Sequence, residues 1–287
     1  MEMNFDGLVG PTHNYAGLAH GNMASASNAG LISSPRQGVL EGLGKMALLH
    51  ALGVPQGILP PHERPRTELL YALGFGSDEK RAIERAGREA PHLLAAVYSA
   101  SPMWTANAAT VSPSADTEDG RLHFTPANLQ ASLHRSLEPD ATAHALRTIF
   151  RGPRFVHHAP LWPVQDLGDE GAANHIRLHD GGEGLEVFVY GKDRTGSAPQ
   201  KFPARQTRDA SAAVARAHGL RRFEFLQQSP DTIDLGVFHN DVISVGHERV
   251  LLWHERAFAD PAAVDALRTR LAEMDVELID WRVQEDE

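Results

Sequence analysis

Four times along this chain, two short strand-like runs are followed by an amphipathic helix and a further strand. The last three of these units open on a polar cluster: Asn107, then Asp169-Glu170, then His239-Asn240-Asp241. A unit of this kind cannot bury its own apolar face, so it must pack against its copies; radial packing brings corresponding positions toward one axis. Polar side chains distant in sequence can then share one pocket. The units span about 1–65, 100–160, 165–230 and 236–283, with a helical insertion at about 66–98, and the expected class is α/β. Spacing alone leaves open a closed radial array, an open four-unit array and an ordinary α+β sheet.

The first unit has a strand over Met3 to Leu8. Its helix is signalled by Ser34 with Pro35, carries Val39, Leu40, Leu43, Met46 and Leu49 at helical spacing, and stops at Gly53. Gln56 to Leu59 then forms a short strand before Pro60-Pro61. In the second unit the strands are Ala109 to Val111 and Leu122 to Phe124, the helix runs from about Pro139 to Phe150, and Arg154 to His157 closes the unit. The third has the alternating run Leu185 to Tyr190, a helix from near Thr207 to Gly219, and Phe223 to Leu226. The fourth reads as strands Asp241 to Val245 and Arg249 to Trp253, a helix capped by Asp260-Pro261 with Val264, Leu267 and Leu271 inward, and a strand over Val276 to Asp280.

Composition narrows the partners. A formal charge of -10 argues against nucleic acid or an anionic membrane, both of which require a basic field, but leaves room for a small acidic ligand where positive charge is local. No apolar run approaches the roughly 20 residues of a membrane span. Residues 1–6 have neither a basic nor an apolar leader segment, so the cytoplasm is the expected location. With no cysteine in 287 residues, disulfides, thiolate metal sites and a cysteine nucleophile are excluded within them. Most of the sixteen histidines lie on polar stretches and are expected at the surface.

Several constellations suit chemistry. Alternation along an expected strand would put His239 and Asp241 on one side, where the carboxylate could bind a guanidinium while the imidazole moves protons; a routine polar hairpin start is the bland alternative. Gly168-Asp169-Glu170-Gly171-Ala172-Ala173-Asn174-His175 packs two carboxylates between small residues, with Glu170 the better candidate for a buried acid; an acidic turn is the competing reading. His175 and His179 raise a metal site, which the absence of an HExxH pattern disfavours. Asn107, among small residues, suits hydrogen bonding to a ligand. His134-Arg135 and Arg205 precede helices, where arginine can grip a carboxylate bidentately but is more often a surface salt-bridge partner. Ala16-Gly17-Leu18-Ala19-His20-Gly21-Asn22-Met23-Ala24-Ser25 could wrap a ligand with backbone groups. It lacks the spacings of nucleotide-binding loops, and no GxSxG elbow supports a serine hydrolase.

Taken together, Asn4-Phe5-Asp6-Gly7-Leu8-Val9-Gly10, Leu59-Pro60-Pro61-His62-Glu63-Arg64-Pro65, Met103 to Thr110, Gly168 to Asn174, Pro203 to Arg208 and Gly236-Val237-Phe238-His239-Asn240-Asp241 closely resemble the N-succinylarginine dihydrolase family. The resemblance runs from the first residues to about Trp281. It implies the pentein fold, a five-bladed α/β propeller of ββαβ units, of which about four would be present. It also implies a homodimer, no metal or organic cofactor, and a small-molecule substrate, N2-succinyl-L-arginine, whose guanidinium is hydrolysed in arginine catabolism. Position by position, Glu170 and His239 match the catalytic acid and histidine, while residues 16–25, Asn107, His134, Arg135, Arg205 and Asp241 match substrate contacts.

Two departures stand out. The family's chemistry depends on a cysteine thiolate that attacks the guanidinium carbon, in a C-terminal part beyond residue 287, so the expectation is a truncated member that is inactive by itself. His20 stands where an apolar side chain is expected. A noncatalytic protein binding succinylarginine-like ligands and a hydrolase of another guanidino compound are the alternative readings.

Overall fold

A short strand cannot pair in parallel with its successor through a tight turn, so each parallel pair in this chain is built across a helix. The computed structural model describes residues 3–284 other than Ala16, His20, Gly21 and Ser197. By compactness the chain divides into one unit of residues 1–105 with 132–141 and a second of 106–131 with 142–287.

In the first unit, β1 (Asn4–Gly7) pairs in parallel with β2 (Gln56–Leu59), in register Asn4 with Gln56 through Gly7 with Leu59. Between them lie α1 (Met23–Ser27) and α2 (Pro35–Ala51). Pro35 sits in the first turn of α2, and the left-handed Gly53 (φ 88°) lies just beyond its end. The expected second strand before the helix does not form: the described residues between β1 and α1 run as loop with a single bridge, Asn14 to Ser99. Gly10-Pro11 interrupts any ladder there, since proline has no N–H to donate. The unit is therefore βαβ rather than ββαβ. Of the apolar positions at helical spacing on α2, Met46 is buried, whereas Leu40 and Leu43 are exposed.

Residues 66–98 contain the helices α3 (Thr67–Ala72), α4 (Glu79–Glu89) and α5 (Pro91–Val97). They pack around Leu70, Ala82, Ala86 and Val97. Asp78 caps α4 by accepting the Arg81 N–H at 2.9 Å.

Three sheets of one topology follow. The hairpin β3 (Ala109–Ser112) and β4 (Leu122–Pro126) is antiparallel; after α6 (Leu133–Ser136) and α7 (Pro139–Ile149), β5 (Phe155–His157) adds in parallel to β4. The next hairpin is β6 (His175–Leu178) and β7 (Leu185–Tyr190), joined across α8 (Arg208–Ala217) by β8 (Phe223–Gln227). Beyond the short α9 (Pro230–Asp234), β9 (Ser244–His247) and β10 (Val250–His254) form the last hairpin, joined across α10 (Ala263–Ala272) by β11 (Ile279–Val283). A 3₁₀ turn precedes each hairpin, at Thr105–Asn107, Gly171–Asn174 and Asn240–Val242. The recurrent polar clusters sit at these turns.

The fourth repeat departs from expectation at its ends. Residues 240–242 are a 3₁₀ turn rather than the start of a strand, because the Asn240 N–H is captured by the Asn174 side chain at 3.0 Å. Asp260 accepts the Ala262 N–H instead of capping the first turn of α10, which begins at Ala263, although Val264, Leu267 and Leu271 point inward as expected. The last strand lies three residues beyond its expected start, while Val276 and Leu278 serve the core.

β7 shows why the second unit holds together. Val187 and Val189 face a core that includes Leu178, Leu251, Trp253 and Leu271, while Phe188 faces Val214, Ala215 and Leu220. A strand covered on both faces reads as a nearly continuous apolar run, and Leu185 to Tyr190 does.

The histidines depart further from expectation. His13, His123, His134, His179, His218 and His239 are buried. His123, His158 and His218 cluster with ring centroids 5.0–5.3 Å apart, and both nitrogens of His218 hydrogen-bond to hydroxyls, those of Ser112 and Thr125, each at 2.7 Å. Burial, reinforced by His158 and His123, lowers the His218 pKa from 6.5 to about 2. A base held neutral in the fold but free to protonate when unfolded stabilises the protein above the unfolded pKa, and that stability is lost as pH falls below 6.5. His218→Gln should therefore flatten the decline in unfolding free energy between pH 6.5 and pH 4.5 by up to about 1.4 kcal/mol per pH unit. Denaturant unfolding across that range measures it, and an unchanged slope would contradict the assignment.

Candidate active site

Glu170 is placed by its backbone before its side chain does anything. A Cβ on Gly168 would lie 2.5 Å from the Arg205 carbonyl oxygen, so only glycine lets the two segments approach this closely. The Asp169 N–H donates to Asn128 Oδ1 at 3.1 Å and the Glu170 N–H to Gln206 Oε1 at 2.7 Å. Asp169 Oδ1 accepts the Gly171 N–H at 3.2 Å, and Gly171 takes the left-handed φ of 72° that turns the chain into β6. Asn107 Nδ2 donates to the Glu170 carbonyl at 3.0 Å. Thr207, the N-cap of α8, donates its hydroxyl to the Asp166 carbonyl and accepts the Ala210 N–H.

His239 enters from the third 3₁₀ turn. Its Nε2 lies 2.6 Å from Glu170 Oε2, and the two side chains are 4% and 1% exposed. The two buried groups are within hydrogen-bond distance, and the pairing offsets the cost of removing either from water. The Phe238 ring meets the imidazole edge-on at 4.8 Å, and Arg205 Cζ lies 5.2 Å from the Phe238 centroid. Asp241 does not share a strand face with His239, since the 3₁₀ turn begins between them. The residue is exposed, yet desolvation by the surrounding protein raises the carboxyl pKa, with His239 opposing.

Glu170, His239, Asn107, Arg205 and Asp241 thus all belong to the second unit, the first four within one connected set of contacts. The other expected contacts belong to the first unit. Gly17 has φ 67°, and a Cβ there would come within 2.7 Å of Ala29. Asn22 Oδ1 caps α1 by accepting the Ser25 N–H at 2.9 Å, Met23 is exposed, and Leu18 and Ala19 are half-buried. Ala16, His20 and Gly21 lie outside the described residues. His134 and Arg135 are buried on α6 rather than on a helix surface.

The alternative metal reading gains nothing from the geometry. His175 pairs with the buried Glu186 at 2.5 Å, and His179 Nδ1 accepts the Gly181 N–H at 2.9 Å. Among the described residues no group of three or more histidines and carboxylates is arranged to hold an ion.

Sequence reasoning missed the residues that aim the pair. Gln206, Asn174 and Phe238 lie inside motifs already noted, adjacent to residues singled out for their chemistry. Asn128 gives no sequence signal, yet its amide binds the Asp169 N–H and the Leu167 carbonyl.

Asp169 is the other unexpected participant. It is fully buried and its Oδ2 makes no hydrogen bond among the described residues. Burial raises its pKa from 3.8 to about 6. An acid whose folded pKa is raised favours folding in its neutral form, and that advantage is lost as pH rises through 6. Asp169→Asn, which keeps the acceptor for Gly171, should raise stability at pH 7 by as much as about 3 kcal/mol and by progressively less toward pH 4. Denaturant titrations at both pH values check this; a loss of stability at pH 7 would contradict it.

The comparisons agree with the motifs. A model of the succinylarginine dihydrolase family matches residues 1–286. The N-succinylarginine dihydrolase of Aeromonas hydrophila is 53% identical over 288 residues, covering 97% of this chain and 65% of that protein. That of Chromohalobacter salexigens is 55% identical over 280 residues, covering 94% and 62%. The chain therefore spans less than two thirds of the length of these curated relatives. Among solved structures, the product-bound N-terminal domain of ArgZ, an arginine dihydrolase from cyanobacteria, superposes with a TM-score of 0.59 at 16% identity, covering 99% of this chain and 76% of that one. Unliganded AgrE gives 0.56 at 16% identity, covering 99% and 31%. At such identity these two structures speak for a shared mixed α/β fold alone. With a match across nearly every residue, the chain belongs to the succinylarginine dihydrolase family.

Proposed function

We propose that this chain supplies the substrate-holding and proton-transfer part of a hydrolase that converts N2-succinylarginine to N2-succinylornithine, carbon dioxide and two molecules of ammonia. The observation that carries the reading is the buried Glu170–His239 contact at 2.6 Å, formed by two family motifs sixty-nine residues apart. In this reading Glu170 orients the imidazole, and His239 delivers protons to departing ammonia and takes them from water. Asp241 faces the planar guanidinium cation. Arg205 takes the anionic succinyl end, to which a guanidinium is suited by its bidentate donors. Asn107, residues 16–25, His134 and Arg135 are proposed as further substrate contacts.

The three ββαβ sheets and the βαβ unit are proposed as about four blades of a five-bladed pentein propeller in a single domain. A homodimer in the cytoplasm follows from the same family reading. No helix among the described residues is long and apolar enough to cross a membrane.

Attack on the guanidinium carbon needs a nucleophile, and no cysteine is present to provide a thiolate. The chain by itself should therefore bind N2-succinylarginine without releasing ammonia. Calorimetry and an ammonia assay test both parts; heat-silent titration of the ligand would remove the reading. Arg205→Ala should weaken succinylarginine binding by about 10–100-fold, the worth of a charge-assisted contact, and free arginine far less. Equal losses for the two ligands would favour a guanidino substrate without the acyl group.

A further inference from the structure

Phe238 stands between two residues of the site. Its half-buried ring meets His239 edge-on, with centroids 4.8 Å apart and planes at 70°, and lies 5.2 Å from the Arg205 guanidinium carbon. The backbone at Arg205 is already fixed: its carbonyl packs on Gly168, and the next side chain, Gln206, receives the Glu170 N–H at 2.7 Å. The peptide is thus tied to the Glu170 turn, but an arginine side chain retains several rotatable bonds beyond its backbone. Arg205 is buried, so its guanidinium is held within the protein, and the Phe238 ring beneath it is one of the surfaces that orient it.

We propose that Phe238 is a positioning residue and a determinant of specificity. By engaging the guanidinium of Arg205 and the imidazole of His239 with one ring, it sets the spacing between the group that receives the anionic end of the ligand and the group that works at the guanidinium end. The site thereby selects arginine derivatives whose carboxylate is carried outward on an acyl arm over free arginine. This deepens the proposed function and rests on it.

The test uses the full chain with Phe238→Leu, Phe238→Tyr, Arg205→Ala and the Phe238→Leu/Arg205→Ala double variant. Calorimetry with N2-succinylarginine and with free arginine is paired with NMR measurement of solvent exchange at Arg205 Nε–H in the ligand-free protein. Phe238→Leu should weaken succinylarginine by about tenfold and arginine by less than about twofold. Phe238→Tyr, which keeps the ring, should restore the affinity. In the Arg205→Ala background the leucine should add no further loss, because the residue it acts through is gone. Ligand-free exchange at Arg205 should quicken in Phe238→Leu and not in Phe238→Tyr.

Equal losses for both ligands, failure of tyrosine to rescue, additive losses in the double variant, or unchanged exchange in Phe238→Leu would each overturn the inference. Absence of succinylarginine binding by the unsubstituted chain would instead defeat the function on which the selectivity rests, and the exchange measurement would still decide whether Phe238 holds Arg205.

Discussion

Two side chains almost wholly withdrawn from water, Glu170 and His239, meet at 2.6 Å, and much of the surrounding architecture serves that contact. A buried charge needs a partner and hydrogen bonds, and removing one member of such a pair typically costs about 3–5 kcal/mol. The pair also fixes geometry. Glu170 cannot reach His239 unless the Gly168 to Gly171 turn is held, and that turn is held by Asn128, Gln206 and Asn107. His239 cannot reach Glu170 unless the turn after it is held, and Asn174 holds it through the Asn240 N–H.

The repeated topology explains how residues so far apart arrive together. Each three-stranded sheet is entered through a 3₁₀ turn, and the chemistry-bearing residues sit in or next to those turns: Asn107 within the first, Glu170 before the second, His239 before the third. The layers beneath are closely packed, with Leu178, Leu185 and Leu251 on strands and Leu271 on α10 among the residues hidden most completely. Rigid strands with polar entries divide the labour: stability comes from the packed layers, and function from the turns that they position.

Much of this was legible in the residues because it is local. Leu185 to Tyr190 announces β7 by its length and apolar content, and Val264, Leu267 and Leu271 announce the inward stripe of α10 by their spacing. Glu170 is marked by small neighbours, one of which has a backbone conformation that favours glycine. Illegible features depend on partners distant in the chain. The 3₁₀ turn at Asn240 exists because an amide sixty-six residues earlier binds its N–H. The burial of His123 and His218 depends on β4 meeting the end of α8, which no window of sequence contains. The missing hairpin of the first unit shows the converse, since Gly10-Pro11 marks a break that the recurring pattern obscures.

The neighbouring carboxyls also show one environment producing two behaviours. Asp169 has no hydrogen bond to one oxygen among the described residues and its pKa is raised, whereas Glu170 has the His239 imidazole beside it. The negative charge of Glu170 adds to the burial that raises the Asp169 pKa. The most direct measurement of this arrangement is the imidazole N–H spectrum of ligand-free protein labelled with ¹⁵N-histidine. The account predicts a far-downfield, slowly exchanging His239 Nε2–H resonance that is lost in Glu170→Gln; a His239 that exchanges and titrates like an exposed histidine, unaffected by that substitution, would contradict it.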